Sequence, residues 1–163
     1  MKKSHKRKLA LVLVSFVLIA GLFASHPRIM AGIWAMSQVE SLSVEQAALR
    51  MANGELMVID TRSREEFEVS HLENAVLAED LDFSRLSKNQ EILVYCTVGL
   101  RSSELGATLN EKGFQHIYNL KSGIIKWKND GLPVYNSNQN STDSVHVYSP
   151  IFRYWLNHGY AID

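Results

Sequence analysis

The chain has a single cysteine, Cys96, so no disulfide can form within it, and a disulfide at that thiol needs a second molecule. His5, His26, His116, His146 and His158 form no spaced cluster of ligands, so neither a metal nor another cofactor is expected. No internal repeat is present. Acid is missing from residues 1–28, which carry six Lys/Arg and no Asp/Glu. The remainder holds 11 basic and 17 acidic side chains, a net charge of −6. The overall neutrality therefore averages two unlike parts, and the acidic part is not expected to bind nucleic acid.

Residues 9–24 lack charge altogether and follow Lys2, Lys3, Lys6, Arg7 and Lys8, a positive-inside pattern. As a helix these residues span roughly 24 Å, slightly short of a bilayer core of about 30 Å. A snorkelling Lys8 and the sparsely charged stretch to Met36 offset the deficit. Leu22 and Phe23 occupy positions that a cleavage site needs small. Residues 1–25 are thus expected to be a signal anchor in preference to a cleaved signal peptide, with 26–37 as a connector. The domain that follows is expected on the extracytoplasmic face of the cytoplasmic membrane, or secreted or periplasmic if the segment is cut.

Ser43 and Gln46 form a capping pair for a helix whose apolar face is Val44, Ala47, Ala48 and Met51, stopped by Asn53-Gly54. Leu56 to Ile59 is a short apolar run without alternation, which predicts a strand buried on both faces and ending at Asp60. Arg64 to Val69 reads as helical turns, Ala75 to Leu77 as a short strand, and Phe83 to Leu86 as another turn of helix. Ile92 to Tyr95 is a strand, and Ser102 to Lys112 a helix ended by Gly113. His116 to Leu120 is a further strand, and Ile124 to Lys128 a helix ended by Gly131 and Pro133. Strands alternating with helices predict an α/β fold, a small parallel-stranded sheet flanked by helices, whose ligands bind beyond the C-terminal strand ends. Residues 136–144 hold no apolar residue and read as a polar linker. Residues 145–163 form an aromatic tail that either packs back on the domain or meets a protein partner or the membrane interface.

Cys96 directly follows the apolar stretch Ile92 to Tyr95 and opens the run Cys96-Thr97-Val98-Gly99-Leu100-Arg101-Ser102. Loop N–H groups and the N-terminus of the following helix favour an anion there, and a thiolate is the nucleophilic form. Arg101 adds a fixed positive charge and a fork of donors, either for an anionic substrate or for a salt bridge that shapes the loop.

Four stretches carry a resemblance. Asp60 to Phe67, Ser70 to Ala75, Cys96 to Ser102, and Leu120-Lys121-Ser122-Gly123 with Trp127, Gly131, Pro133 and Val134 together resemble the rhodanese (sulfurtransferase) family. The match runs in order and places one such domain at 38–135. The resemblance implies that Cys96 accepts a sulfane sulfur as a persulfide and passes it to a thiol or cyanide. It implies that Thr97, Val98, Gly99, Leu100, Arg101 and Ser102 cradle that sulfur, with Asp60, Arg62, Glu66 and His71 in support. Arg62 is expected to pair with Glu66, and His71 to be structural.

Ser70, Glu73 and Ser122 stand where the family often has glycine. Thr97 to Leu100 carry no charge, where thiosulfate-using members tend to have basic residues. A persulfide or polysulfide donor is therefore expected over thiosulfate. Related phosphatases and arsenate reductases have a loop one residue longer between Cys and Arg, and a histidine where Tyr95 stands, so their chemistry is not expected. The alternative function is a non-enzymatic rhodanese-like module that binds a protein partner at the membrane.

Overall fold

The computed structural model describes Val14, Ser15, Ala35 and residues 38–163. Apart from Val14 and Ser15 in the expected signal anchor and Ala35 in the connector, both segments lie outside the described residues. Among the described residues no helix is long and apolar enough to cross a membrane.

A five-stranded, wholly parallel sheet forms the centre, in the order β1 (Glu40–Leu42), β5 (His116–Leu120), β4 (Glu91–Tyr95), β2 (Met57–Asp60), β3 (Val76–Leu77). β4 is central because all of its inner residues are apolar, and Ile92 to Tyr95 are fully buried. The alternation of side chains divides its contacts between two cores. Leu93 and Tyr95 pack with Val58, Val44 and Ala47 of α1 (Val44–Ala52), and Ile124 and Trp127 of α4 (Gly123–Asn129). Ile92 and Val94 pack with Ile59, and with Ala107 and Leu109 of α3 (Leu100–Glu111). Helices on both faces leave the C-terminal ends of β2 and β4 as the open rim, and the loops after Asp60 and Tyr95 lie there.

The capping pair at Ser43 is present, with the Gln46 N–H donating to Ser43 Oγ at 3.2 Å and the Ser43 N–H to Gln46 Oε1 at 2.9 Å. The same device starts α2 (Arg64–Val69), where Ser63 and Glu66 exchange bonds.

Two parts differ from the sequence expectation. β1 joins the edge of the sheet beside β5, although Glu40-Ser41-Leu42 has no apolar run; it is held by backbone pairing to Tyr118, Asn119 and Leu120. Residues 136–144 are a turn rather than a linker. β6 (Val134–Tyr135) pairs antiparallel with β7 (Ser141–Thr142), and Asn136 Oδ1 accepts from the N–H groups of Asn138 and Asn140 at 3.0 and 3.1 Å. The aromatic tail packs back on the domain. β8 (Ser144–His146) pairs parallel with β9 (Tyr160–Ile162), and Val145 and Val147 are fully buried. A 3₁₀ turn, Pro150–Trp155, links these two strands.

Candidate active site

Cys96 sits one residue past β4, buried beneath its own loop, with 1% of its surface exposed. Gly99 takes φ +101°, a left-handed conformation that suits glycine, and so turns its N–H back onto Cys96 Sγ at 3.0 Å. The loop carbonyls face the other way. The N–H of Ile124 donates to the Cys96 carbonyl at 2.9 Å and that of Ile125 to the Thr97 carbonyl at 3.3 Å. The first turn of α4 thus satisfies two of its orphan donors on the cysteine loop. This approach requires Gly123, where a Cβ would stand 2.2 Å from the Cys96 carbonyl oxygen. Ser122 beside it has φ +62°, which explains why glycine is found at that place in the resembled pattern.

The far side of the loop is held by a buried polar cluster that sequence reasoning missed. Asn119, on β5, donates through Nδ2 to the Gly99 carbonyl at 3.1 Å and to Ser103 Oγ at 2.7 Å. Its Oδ1 accepts from Ser102 Oγ at 2.7 Å, and Ser103 Oγ donates to the Gly99 carbonyl at 2.6 Å. The signal was present: an asparagine within the apolar strand ending at Leu120 must find partners once buried.

Arg101 is clamped. Its Nη1 and Nη2 donate to Glu66 Oε2 and Oε1 at 2.7 Å each, and Nη2 also donates to Thr97 Oγ1 at 2.8 Å. Thr97 in turn donates from Oγ1 to Glu66 Oε1 at 3.1 Å. Burial alone would raise the Glu66 carboxyl, but the hydrogen bonds from Arg101 and the Ser63 N–H, with the charges of Arg101 and Arg62, outweigh it and hold Glu66 at about 2. Burial alone would likewise lower Arg101, yet Glu66 and then Cys96 raise it above its ordinary value.

The expected Arg62–Glu66 pair is corrected by this geometry. Arg62 pairs with Asp60 instead, through Nε at 3.0 and 3.1 Å and Nη2 at 2.7 Å, with its own N–H on Asp60 Oδ1 at 2.9 Å. The two residues are separated by a single position at the end of β2, so a local turn brings them together, while Glu66 at the third position of α2 reaches across to Arg101. Arg62 also donates to the Ser70 carbonyl and is fully buried beside Tyr95. Tyr95 is raised well above its usual range by burial and then by the Asp60 charge, and its hydroxyl accepts the Leu72 N–H at 3.1 Å.

His71 is buried, its ring stacked on Phe67 at 4.0 Å, with Nδ1 3.0 Å from the Phe67 carbonyl and Nε2 3.4 Å from Gln139 Nε2. It makes no hydrogen bond to the residues of the cysteine loop. Thus the structure gathers Cys96, Thr97, Gly99, Arg101 and Glu66 into one cluster, ties Ser102 to Asn119 behind it, and sets Asp60, Arg62 and His71 into supporting contacts elsewhere. Val98 faces a groove of about 190 Å³ that it lines with Ile125, Lys126 and Trp155. Among the described residues no cluster of side chains is arranged to hold a metal ion.

Comparison with known proteins is consistent with this picture. Residues 43–130 match the family model of the rhodanese-like domain. The chain is 30% identical over 109 residues to a tRNA uridine(34) hydroxylase of Photorhabdus laumondii, covering 58% of this chain and 31% of that protein. It spans about a third of the length of the hydroxylases it matches. Among solved structures, a polysulfide-sulfur transferase homodimer from Wolinella succinogenes superimposes with a TM-score of 0.58 at 25% identity, covering 72% of this chain and 93% of the other. A rhodanese-like domain from Anabaena sp. gives a TM-score of 0.54 at 27% identity, covering 59% and 78%.

Proposed function

Since the chain belongs to the rhodanese-like domain family, we propose that it is a sulfurtransferase or sulfur carrier that moves sulfane sulfur through a persulfide on Cys96. The observation that carries this reading is the Gly99 N–H aimed at Cys96 Sγ at 3.0 Å, at the C-terminal rim of a parallel sheet. The same N–H can follow the sulfur when negative charge moves one atom outward, as an oxyanion hole does for oxygen.

In the first step the Cys96 thiolate attacks the terminal sulfur of a polysulfide. One S–S bond forms, one breaks, and a chain one sulfur shorter leaves with the electron pair. In the second step a thiolate or cyanide attacks the outer sulfur of the persulfide and restores the Cys96 thiolate. No other cysteine exists to resolve the persulfide, so the acceptor is a separate molecule. The likeness to the Wolinella polysulfide-sulfur transferase supports polysulfide over thiosulfate as donor, as does the absence of charge from Thr97 to Leu100. The hydroxylases share only the rhodanese-like third of their length. The net charge of −6 after residue 28 disfavours a nucleic-acid partner here.

The domain works outside the cytoplasm, tethered through residues 9–24, and the exposed Ile151 and Tyr154 offer a surface to a protein partner. Treatment of the full-length chain with polysulfide, followed by cyanide, tests the reading. One sulfur gained on wild type but not on Cys96→Ser, and released as thiocyanate, is expected. No gain in a folded, reduced sample favours the non-enzymatic module.

A further inference from the structure

Arg101 is closed off from several sides. Glu66 and Thr97 occupy N–H groups of both terminal nitrogens, and the ring of Tyr148 lies over the guanidinium face, with Cζ 4.4 Å from the ring centroid. Tyr148 comes from beyond the matched rhodanese-like residues 43–130. Its backbone is unusual for a bulky side chain: φ is +64°, and the Ser149 N–H donates across it to the Val147 carbonyl at 2.7 Å. Three-residue turns of positive φ are rare and strained. The flanking chain holds the turn in place, because Val147 is buried and its N–H donates to the Ile162 carbonyl at 2.9 Å. Tyr148 as a whole residue is 60% exposed, so burial in the core does not account for the strain. The strained turn instead delivers the ring to Arg101.

We propose that Tyr148 is a specificity-determining positioning residue that keeps Arg101 on Glu66 and withholds the guanidinium from the oxyanion head of thiosulfate. This inference rests on the sulfur-carrier reading. A sulfonate head is compact and calls for a free fork of donors. A polysulfide spreads its charge along soft sulfur atoms and needs donors only at the end under attack. With thiosulfate, the Cys96 thiolate bonds to the outer sulfur, and sulfite leaves with the electron pair of the broken S–S bond. Arg101 can stabilise that departure only when uncovered.

The test measures the rate of Cys96 persulfide formation by intact mass in full-length wild type, Tyr148→Gly and Tyr148→Phe, with thiosulfate and with polysulfide separately. Glycine suits φ +64°, so the turn survives the loss of the ring. Y148G is expected to raise the thiosulfate-to-polysulfide rate ratio about threefold or more, as loss of a partly exposed cation–π contact implies. Its thiosulfate rate should fall with added salt, and Y148F should keep the wild-type ratio. An unchanged ratio in Y148G overturns the proposal whatever happens to the absolute rates. A Y148F ratio equal to that of Y148G overturns the role of the ring. Failure of wild type to take sulfur from either donor overturns the carrier reading, and this inference with it.

Discussion

Glu66 serves two elements at once. It closes the capping box of α2 through the Ser63 N–H and grips Arg101 over the cysteine loop. Its carboxyl is held at about 2, below its ordinary 4.5, so the stability it contributes is fully present above pH 4.5. That contribution is lost as pH falls from about 4.5 toward 2. Urea midpoints measured across this range should drop for wild type and fall less steeply for Glu66→Gln, whose amide has no charge to lose. At neutral pH the same variant should be less stable by about 1–3 kcal/mol, because Arg101 is left partly buried without its anion. The Asp60–Arg62 pair is fully buried, so Asp60→Ala should cost more, about 3–5 kcal/mol in the same assay. The exchange of partners between Arg62 and Arg101 was hidden in the sequence. Charge and spacing permit Arg62 to pair with Asp60 or with Glu66, and only the turn after β2 decides between them.

At the scale of elements, the loop is shaped from both sides by structure distant in sequence. α4 donates to its carbonyls and β5 presents Asn119 to its far side. Two glycines separate these constraints. Gly99→Ala meets no atom closer than 3.6 Å, so its penalty should be the left-handed backbone alone, about 1–2 kcal/mol. Gly123→Ala drives a Cβ into the Cys96 and Thr97 carbonyls and should cost on the order of 3 kcal/mol or more, while displacing Cys96. Thermal melts of the two variants should rank them in that order; equal melts would show that α4 does not seat the loop. The strands β2, β4 and β5 and the helices between them were legible because each is an apolar run or periodic face. β1 was not, because a three-residue edge strand with two exposed positions has no apolar pattern to read.

Across the whole molecule, the segment after Tyr135 completes the fold. Asn129 ties it to α4, donating to the Trp155 carbonyl at 2.7 Å and accepting from the N–H groups of Asn157 and His158. Lys128 pairs with Asp143 at 2.6 Å. Val145 belongs to the same core as Tyr95, so Val145→Ala should destabilise by about 2 kcal/mol, read as a lower urea midpoint. A tail that merely rested on the surface would show almost no change. The sequence held a hint in the alternation Val145-His146-Val147, but the Asn- and Ser-rich run before it suits a linker and a tight turn equally well. The pairing of β6 with β7 is what distinguishes the two.

Sulfur carriage by Cys96 is read from the intact mass of the full-length chain after polysulfide treatment. One added sulfur is expected on wild type, absent from Cys96→Ser and removed by cyanide. A folded, reduced protein whose mass is unchanged, or whose added sulfur persists in Cys96→Ser, would contradict it.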